Sequence, residues 1–275
     1  MQAIGMKQLF KHALSCAGAT SVLAAPAAAA PLQPTKRWVI EFADEKCVAA
    51  REYGAADTPV AIILKPSPIG DILQMTLISP AAGRPTRQVT ANVRIGDDPS
   101  IPLQALAFDS KQSKVRSVRI NLPENVAARL AGATAISVSS EGEVNANYAL
   151  TQMNDVAKTL SKCVADLRAF WNIGPEHEPN IRARAKANLA SFISDEDYPE
   201  MAYERDQGGT VKFALLINEA GRVADCTVTE SSNVPSLDAQ SCAILVRRAR
   251  FEPAVDTAGK PTKDAVVSRI TWRMQ

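Results

Sequence analysis

The chain has 275 residues, more than one average core holds and enough for two. Its composition, 46% hydrophobic and 22% charged, is that of an ordinary globular protein and excludes a largely disordered chain. The formal charge of +2 falls to zero without residues 1–29, which hold Lys7, Lys11 and no acid. A neutral surface argues against nucleic acid, whose phosphates need a basic footprint.

At the start, Lys7, Lys11 and His12 precede an uncharged Ala-rich run from Ala13 to Ala25, and small residues follow through Ala30. A basic head, an apolar middle and a small-residue end predict a cleaved secretory signal peptide over residues 1–29 and a mature chain in the periplasm. The alternative is an uncleaved anchor that holds the protein in the inner membrane facing the periplasm. Pro26 speaks against it, because it interrupts the run where about 20 strongly apolar residues are needed. Four cysteines follow, Cys47, Cys163, Cys226 and Cys242, and an even number in an exported chain reads as two disulfides. Their spacing does not suit zinc: no Cys-x-x-Cys pair occurs, and His177 is the only histidine past the signal. No metal and no cofactor are expected.

Residues 37–171 are expected to form a β-rich domain of unassigned role. Trp38, Ile40 and Phe42 alternate with other residues, and Cys47 to Tyr53 continues the pattern. The runs at 60–64, 72–78, 89–95, 115–122 and 135–138 obey the same period of two, which belongs to half-buried strands. Turn chemistry such as Pro66-Ser67-Pro68 and Gly96-Asp97-Asp98-Pro99 separates them. A short helix is predicted from Pro123 to Leu130. The period then changes: Met153, Val156, Leu160, Cys163, Val164, Leu167, Phe170 and Trp171 recur at three- and four-residue steps, which predicts a long amphipathic helix ending the domain. Cys163 on its apolar stripe faces the sheet that carries Cys47, so these two should pair.

Residues 172–195, with Gly174-Pro175 and Pro179, read as a linker, with a short helix at Ile181 to Phe192. The last domain, 196–275, opens on a short helix after Tyr198-Pro199. Val211, Phe213, Leu215 and Ile217 alternate without a fault, Asn218-Glu219-Ala220-Gly221 makes a hairpin turn, and Arg222 to Thr229 returns. Pro235 and Ser236 start a helix to about Arg248. Its stripe holds Cys242, and the returning strand turns Cys226 the same way, so these two form the second expected bridge. Val266 to Met274 is the final strand. The predicted class for the whole chain is α+β: a mostly antiparallel β domain with a long C-terminal helix, then a small three-stranded sheet with two helices.

The succession Tyr198-Pro199, Gly209-Thr210-Val211, Ile217 to Val223, Ser231-Ser232, Leu237-Asp238, Arg250-Phe251-Glu252-Pro253-Ala254 and Gly259-Lys260-Pro261 resembles the TonB C-terminal domain family, over about residues 185–275. That resemblance implies a three-stranded antiparallel sheet with helices on one face. It also implies a protein partner, an outer-membrane transporter of the TonB-dependent kind, received by strand addition. A genuine energy transducer would keep an uncleaved N-terminal anchor with a histidine in the membrane, followed by a spacer rich in Pro, Glu and Lys. Here His12 stands before the apolar run, and a cysteine-stapled region takes the spacer's place.

The functional expectation is therefore an exported binding protein of the cell envelope and not an enzyme, with a membrane-anchored transducer that couples the proton motive force to outer-membrane uptake as the first alternative and an enzyme with its site in residues 37–171 as the last. No Ser–His or Cys–His arrangement is available, and Asp97-Asp98 and Asp195-Glu196-Asp197 read as solvated turns or helix caps. A three-stranded sheet leaves open edges. The last strand is the candidate, because charged side chains guard edges and its outward face carries Val267, Arg269, Thr271 and Arg273.

Overall fold

A computed structural model describes residues 30–55, 58, 60–70, 72–81, 83–110 and 114–274. The signal peptide expected at residues 1–29 lies outside the described residues. Residues 31–275 pack as one compact unit.

Nine strands form one antiparallel, curled sheet: β1 (Val39–Phe42), β2 (Cys47–Tyr53), β3 (Val60–Pro66), β4 (Leu73–Pro80), β5 (Arg87–Ile95), β6 (Ile101–Ser110), β7 (Val115–Leu122), β8 (Ala135–Ser140) and β9 (Val144–Ala149). Their spatial order is β1-β2-β3-β4-β7-β6-β5-β8-β9, so the β5–β7 meander is inserted in reverse between β4 and β8. The period-two pattern explains the inward face: Cys47, Ala49 and Tyr53 of β2, Met75 and Leu77 of β4, Val118, Ile120 and Leu122 of β7, and Ile136 and Val138 of β8 are all buried in one core.

The segment before β1 links β9, at one end of this sheet, to β2, next to the strand at the other end. Leu32 N–H donates to Asn147 O at 2.6 Å and Leu32 O accepts from Ala149 N–H at 2.9 Å, while Thr35 N–H donates to Glu52 O at 3.0 Å. Residues 32–35 thereby bridge β9 to β2. Behind them Tyr53 and Tyr148 meet edge to face at 5.1 Å, and burial pushes both phenols up to about 12. The short helix α1 (Glu124–Ala127) runs into a 3-10 turn at Ala128–Gly132, much as the sequence suggests. Helix α2 (Met153–Phe170) buries Met153, Val156, Leu160, Cys163 and Leu167 against β1, β2 and that turn, and the Cys47–Cys163 bridge fastens it with 6.0 Å between Cα atoms.

Residues 172–195 run over the terminal core, into which Ala185 is buried. The helix expected at Ile181 to Phe192 is replaced by β10 (Ile181–Ala183) and a 3-10 turn at Leu189–Phe192. A helix would leave Ile181 and Ala183 without the pairing they make with β13 (Ala254–Asp256), which in turn pairs with β14 (Pro261–Thr262).

Past them come α3 (Glu200–Tyr203), β11 (Gly209–Ile217), β12 (Val223–Glu230), α4 (Pro235–Arg248) and β15 (Asp264–Trp272). The second three-stranded sheet has the order β12-β11-β15, with α4 across one face. Val211, Phe213, Leu215 and Ile217 point to that face with Leu237, Ile244 and Leu245 of α4. Leu216, on the other face, is buried in the core of the nine-stranded sheet. Lys65 pairs with Asp225 across this junction at 2.8 Å, and Gln88 Nε2 donates to Gln207 Oε1 at 2.6 Å.

The α+β class expected from the sequence, with a long helix ending the first domain as a defining part, is overturned. The protein is mostly β, with 44% strand against 23% helix. Nine strands rather than the seven legible runs make the first sheet. Its helix α2 is 18 residues laid on that sheet, and α1 and α3 have only four residues each.

The β11–β12 hairpin shows why a glycine is required. Gly221 has φ +69°, and a Cβ there would stand 2.0 Å from the carbonyl oxygen of Phe251. That close approach lets Phe251 N–H donate to Gly221 O at 2.9 Å. Gly221→Ala should therefore cost about 2–4 kcal/mol, combining left-handed strain with overpacking. Chemical unfolding that shows a loss below about 1 kcal/mol would contradict this.

Candidate partner-binding edge

β15 is an edge strand of the terminal sheet, paired on one side with β11 from Gly209↔Trp272 to Ile217↔Asp264. Its side chains alternate as the sequence requires. Val266, Ile270 and Trp272 join the terminal core, where Trp272 Nε1 donates to the buried Ser241 Oγ at 3.0 Å and the Tyr198 ring meets the Trp272 ring edge to face at 5.4 Å. Val267, Arg269 and Thr271 face outward and are exposed, Val267 to 58%. Arg273 is exposed just beyond the strand.

The start of the strand is held firmly. Asp264, wholly buried, accepts from Arg184 Nη1 at 2.7 Å and from Ala185 N–H at 2.9 Å, and Asn172 Nδ2 donates to Lys263 O at 2.9 Å. Residues 172–185 thus clamp the beginning of β15. From Val266 onward, no strand or loop among the described residues pairs with its outer edge.

Which main-chain groups point outward follows from one hydrogen bond. Ala265 N–H donates to Asp264 Oδ1 at 2.8 Å, so it stands outside the ladder with β11. Antiparallel pairs alternate between bonded and non-bonded residues. Val267, Arg269 and Thr271 share the parity of Ala265, so their N–H and C=O groups lie on the outer edge, beside their own exposed side chains. Arg269 and Arg273 make this border basic. Across the same face, Lys212 pairs with Glu230 at 2.6 Å and Thr271 Oγ1 lies 3.0 Å from Thr210 Oγ1.

The opposite edge belongs to β12, where the Cys226–Cys242 bridge joins strand to helix with 5.4 Å between Cα atoms. Both disulfides are thus paired as the strand and helix faces predict. The acidic clusters occupy structural positions: Asp98 pairs with Arg129 at 3.2 Å, and Asp197 accepts from Ser194 N–H in a capping box and from Arg248 at 2.6 Å. His177 lies 3.5 Å from Glu176, among residues 172–195.

The terminal segment is thus a small antiparallel sheet with a helix across one face and an open edge at β15. Residues 195–274 match the family described as the Gram-negative bacterial TonB protein C-terminal. The protein is accordingly TonB-like over this terminal segment, which is a transport-related and non-enzymatic domain in its family. No curated protein matches the chain. Among the described residues, no helix is long and apolar enough to cross a membrane.

Proposed function

We propose that this is an exported protein of the cell envelope whose TonB-like domain binds a protein partner by adding a strand to the outer edge of β15. The partner in this reading is an outer-membrane transporter of the TonB-dependent kind, and the protein works in the periplasm after loss of residues 1–29. Residues 37–171 then form one domain and 196–275 the binding domain, with 172–195 joining them. The observation that carries the reading is the open edge at Val267, Arg269 and Thr271, whose main-chain groups have the right parity to accept an incoming strand. Arg269 and Arg273 favour a segment with acidic residues.

The test places a photocrosslinker at Val267 in the native envelope and combines it with Thr271→Pro. Proline removes an outward donor and leaves the ladder to β11 intact. Crosslinking to an outer-membrane protein is expected while Thr271 is in place. The Thr271→Pro variant should lose about tenfold or more of it, the size of one or two good hydrogen bonds. Wild-type capture by a folded Thr271→Pro variant would overturn strand addition at this edge.

A further inference from the structure

The outer face of the nine-stranded sheet and the terminal domain enclose a cleft of about 910 Å³. Its size is that of a small-molecule pocket. Gln74 of β4, Gln104 of β6 and Arg119 and Asn121 of β7 form one wall, and the end of β12 with the adjoining face of α4 forms the other.

Arg119 is the unusual group. Its guanidinium lies 5.1 Å from the Phe108 ring centre, and among the described residues it has no carboxylate, carbonyl or hydroxyl partner. Nε is buried and unsatisfied. Burial lowers the pKa of the guanidinium from its ordinary value, yet an arginine stays charged near neutral pH. Three other charged groups of the cleft are already engaged: Lys65 with Asp225, Glu230 with Lys212, and Asp238 with the hydroxyls of Ser231 and Ser232. Glu124, at the start of α1, also lines the cleft and makes no ion pair with Arg119. A buried donor on a cation left without an acceptor is costly, and an anion entering the cleft would supply that acceptor.

We infer that the cleft binds a small organic acid, whose carboxylate pairs with Arg119 and whose hydroxyl or amide groups are taken by Gln74, Gln104 and Asn121. One unpaired cation matches a monocarboxylate better than a doubly charged phosphate. Carboxamides both donate and accept, which suits hydroxyls or amides. Those here are loosely engaged: Gln74 Nε2 lies 3.5 Å from Asn121 Oδ1 and Gln104 Nε2 lies 3.3 Å from Thr90 Oγ1. The site is separate from the β15 edge, so it stands or falls independently of strand addition.

The test follows the Arg119 Nε–H resonance of the purified, disulfide-intact protein by NMR at constant ionic strength. The probes are galacturonate against galactose, and acetyl-glutamic acid amide against acetyl-glutamine amide, with inorganic phosphate as a third arm. At least one carboxylate should shift the Arg119 signal and bind about tenfold or more tightly than its neutral counterpart, with a similar loss in Arg119→Gln. The pair that binds better separates a sugar acid from an amino-acid-like ligand. Asn121→Leu should weaken binding and preserve the preference for the charged member. Equal binding of neutral and charged probes, no response to either carboxylate, tighter binding of phosphate, or an unchanged affinity in Arg119→Gln would each overturn the inference. Should Arg119→Gln fail to fold, the wild-type Nε–H response decides alone.

Discussion

Replacing Cys47 and Cys163 together by alanine should lower stability by about 4–5 kcal/mol, the larger of the two disulfide effects in this protein. The bridge joins residues 116 apart, so its loss releases a long loop in the unfolded chain; the chain-entropy account gives about 4.7 kcal/mol for a loop of 100 residues. The Cys226–Cys242 bridge spans 16 residues and should be worth about 3 kcal/mol by the same account. Cys47 and Cys163 are also both buried in the core, so their removal forfeits packing between β2 and α2. Guanidinium unfolding of the two double-alanine variants tests this, and a smaller loss for the Cys47/Cys163 variant than for the Cys226/Cys242 variant would contradict it.

Both pairings were legible in the sequence because each cysteine sits on a face whose period is clear: Cys163 on a helical stripe, and Cys226 on a strand whose neighbours alternate. Where the sequence misled, the cause is equally local. β6 carries Ala105, Leu106 and Ala107 in succession, all buried, because the sheet core takes the alanines while Leu106 faces the cleft beside the terminal domain. A strand buried on both faces loses its alternation. In β9, Asn145 and Asn147 have poor strand propensity and are ordered by pairing with Ser139 and Ser137 of β8. These two omissions account for an α+β expectation where the fold is mostly β.

The edge at β15 was readable from alternation, but the clamp on its start was not. Asp264 carries no sequence signal of burial, and only the packing of residues 184–185 shows why it is there. Arg119 was missed for a related reason. It sits in an otherwise ordinary strand, and a cation becomes a candidate site only when its neighbours are seen to withhold a partner.

Burial of charge sets the scale of the last prediction. Arg116 is almost wholly buried, and Glu143, whose side chain is inaccessible, takes its Nε and Nη2 at 2.9 Å each. Asp109 accepts from Nη1 at 3.0 Å, and the carbonyls of Arg84 and Pro85 accept from the same nitrogen at 3.2 Å. Arg87 Nε lies 3.0 Å from Glu143 Oε1 and Arg84 Nη1 4.0 Å from Oε2, so this carboxylate faces three guanidinium groups. The cluster ties the β8–β9 turn to β5, β6 and β7, elements remote in sequence. Removing one partner of a buried pair costs about 3–5 kcal/mol, more than the intact pair contributes, and without Glu143 the Nε and Nη2 donors of Arg116 lose their acceptor while only Nη1 keeps Asp109. Glu143→Ala should therefore destabilise by about that amount. Glu143→Gln keeps the shape and one acceptor, so it should cost distinctly less. Urea unfolding of both variants gives the comparison: equal losses would mean that charge and not shape is what Glu143 supplies, and a loss below about 1 kcal/mol in Glu143→Ala would mean that Asp109 and water suffice to hold the Arg116 charge.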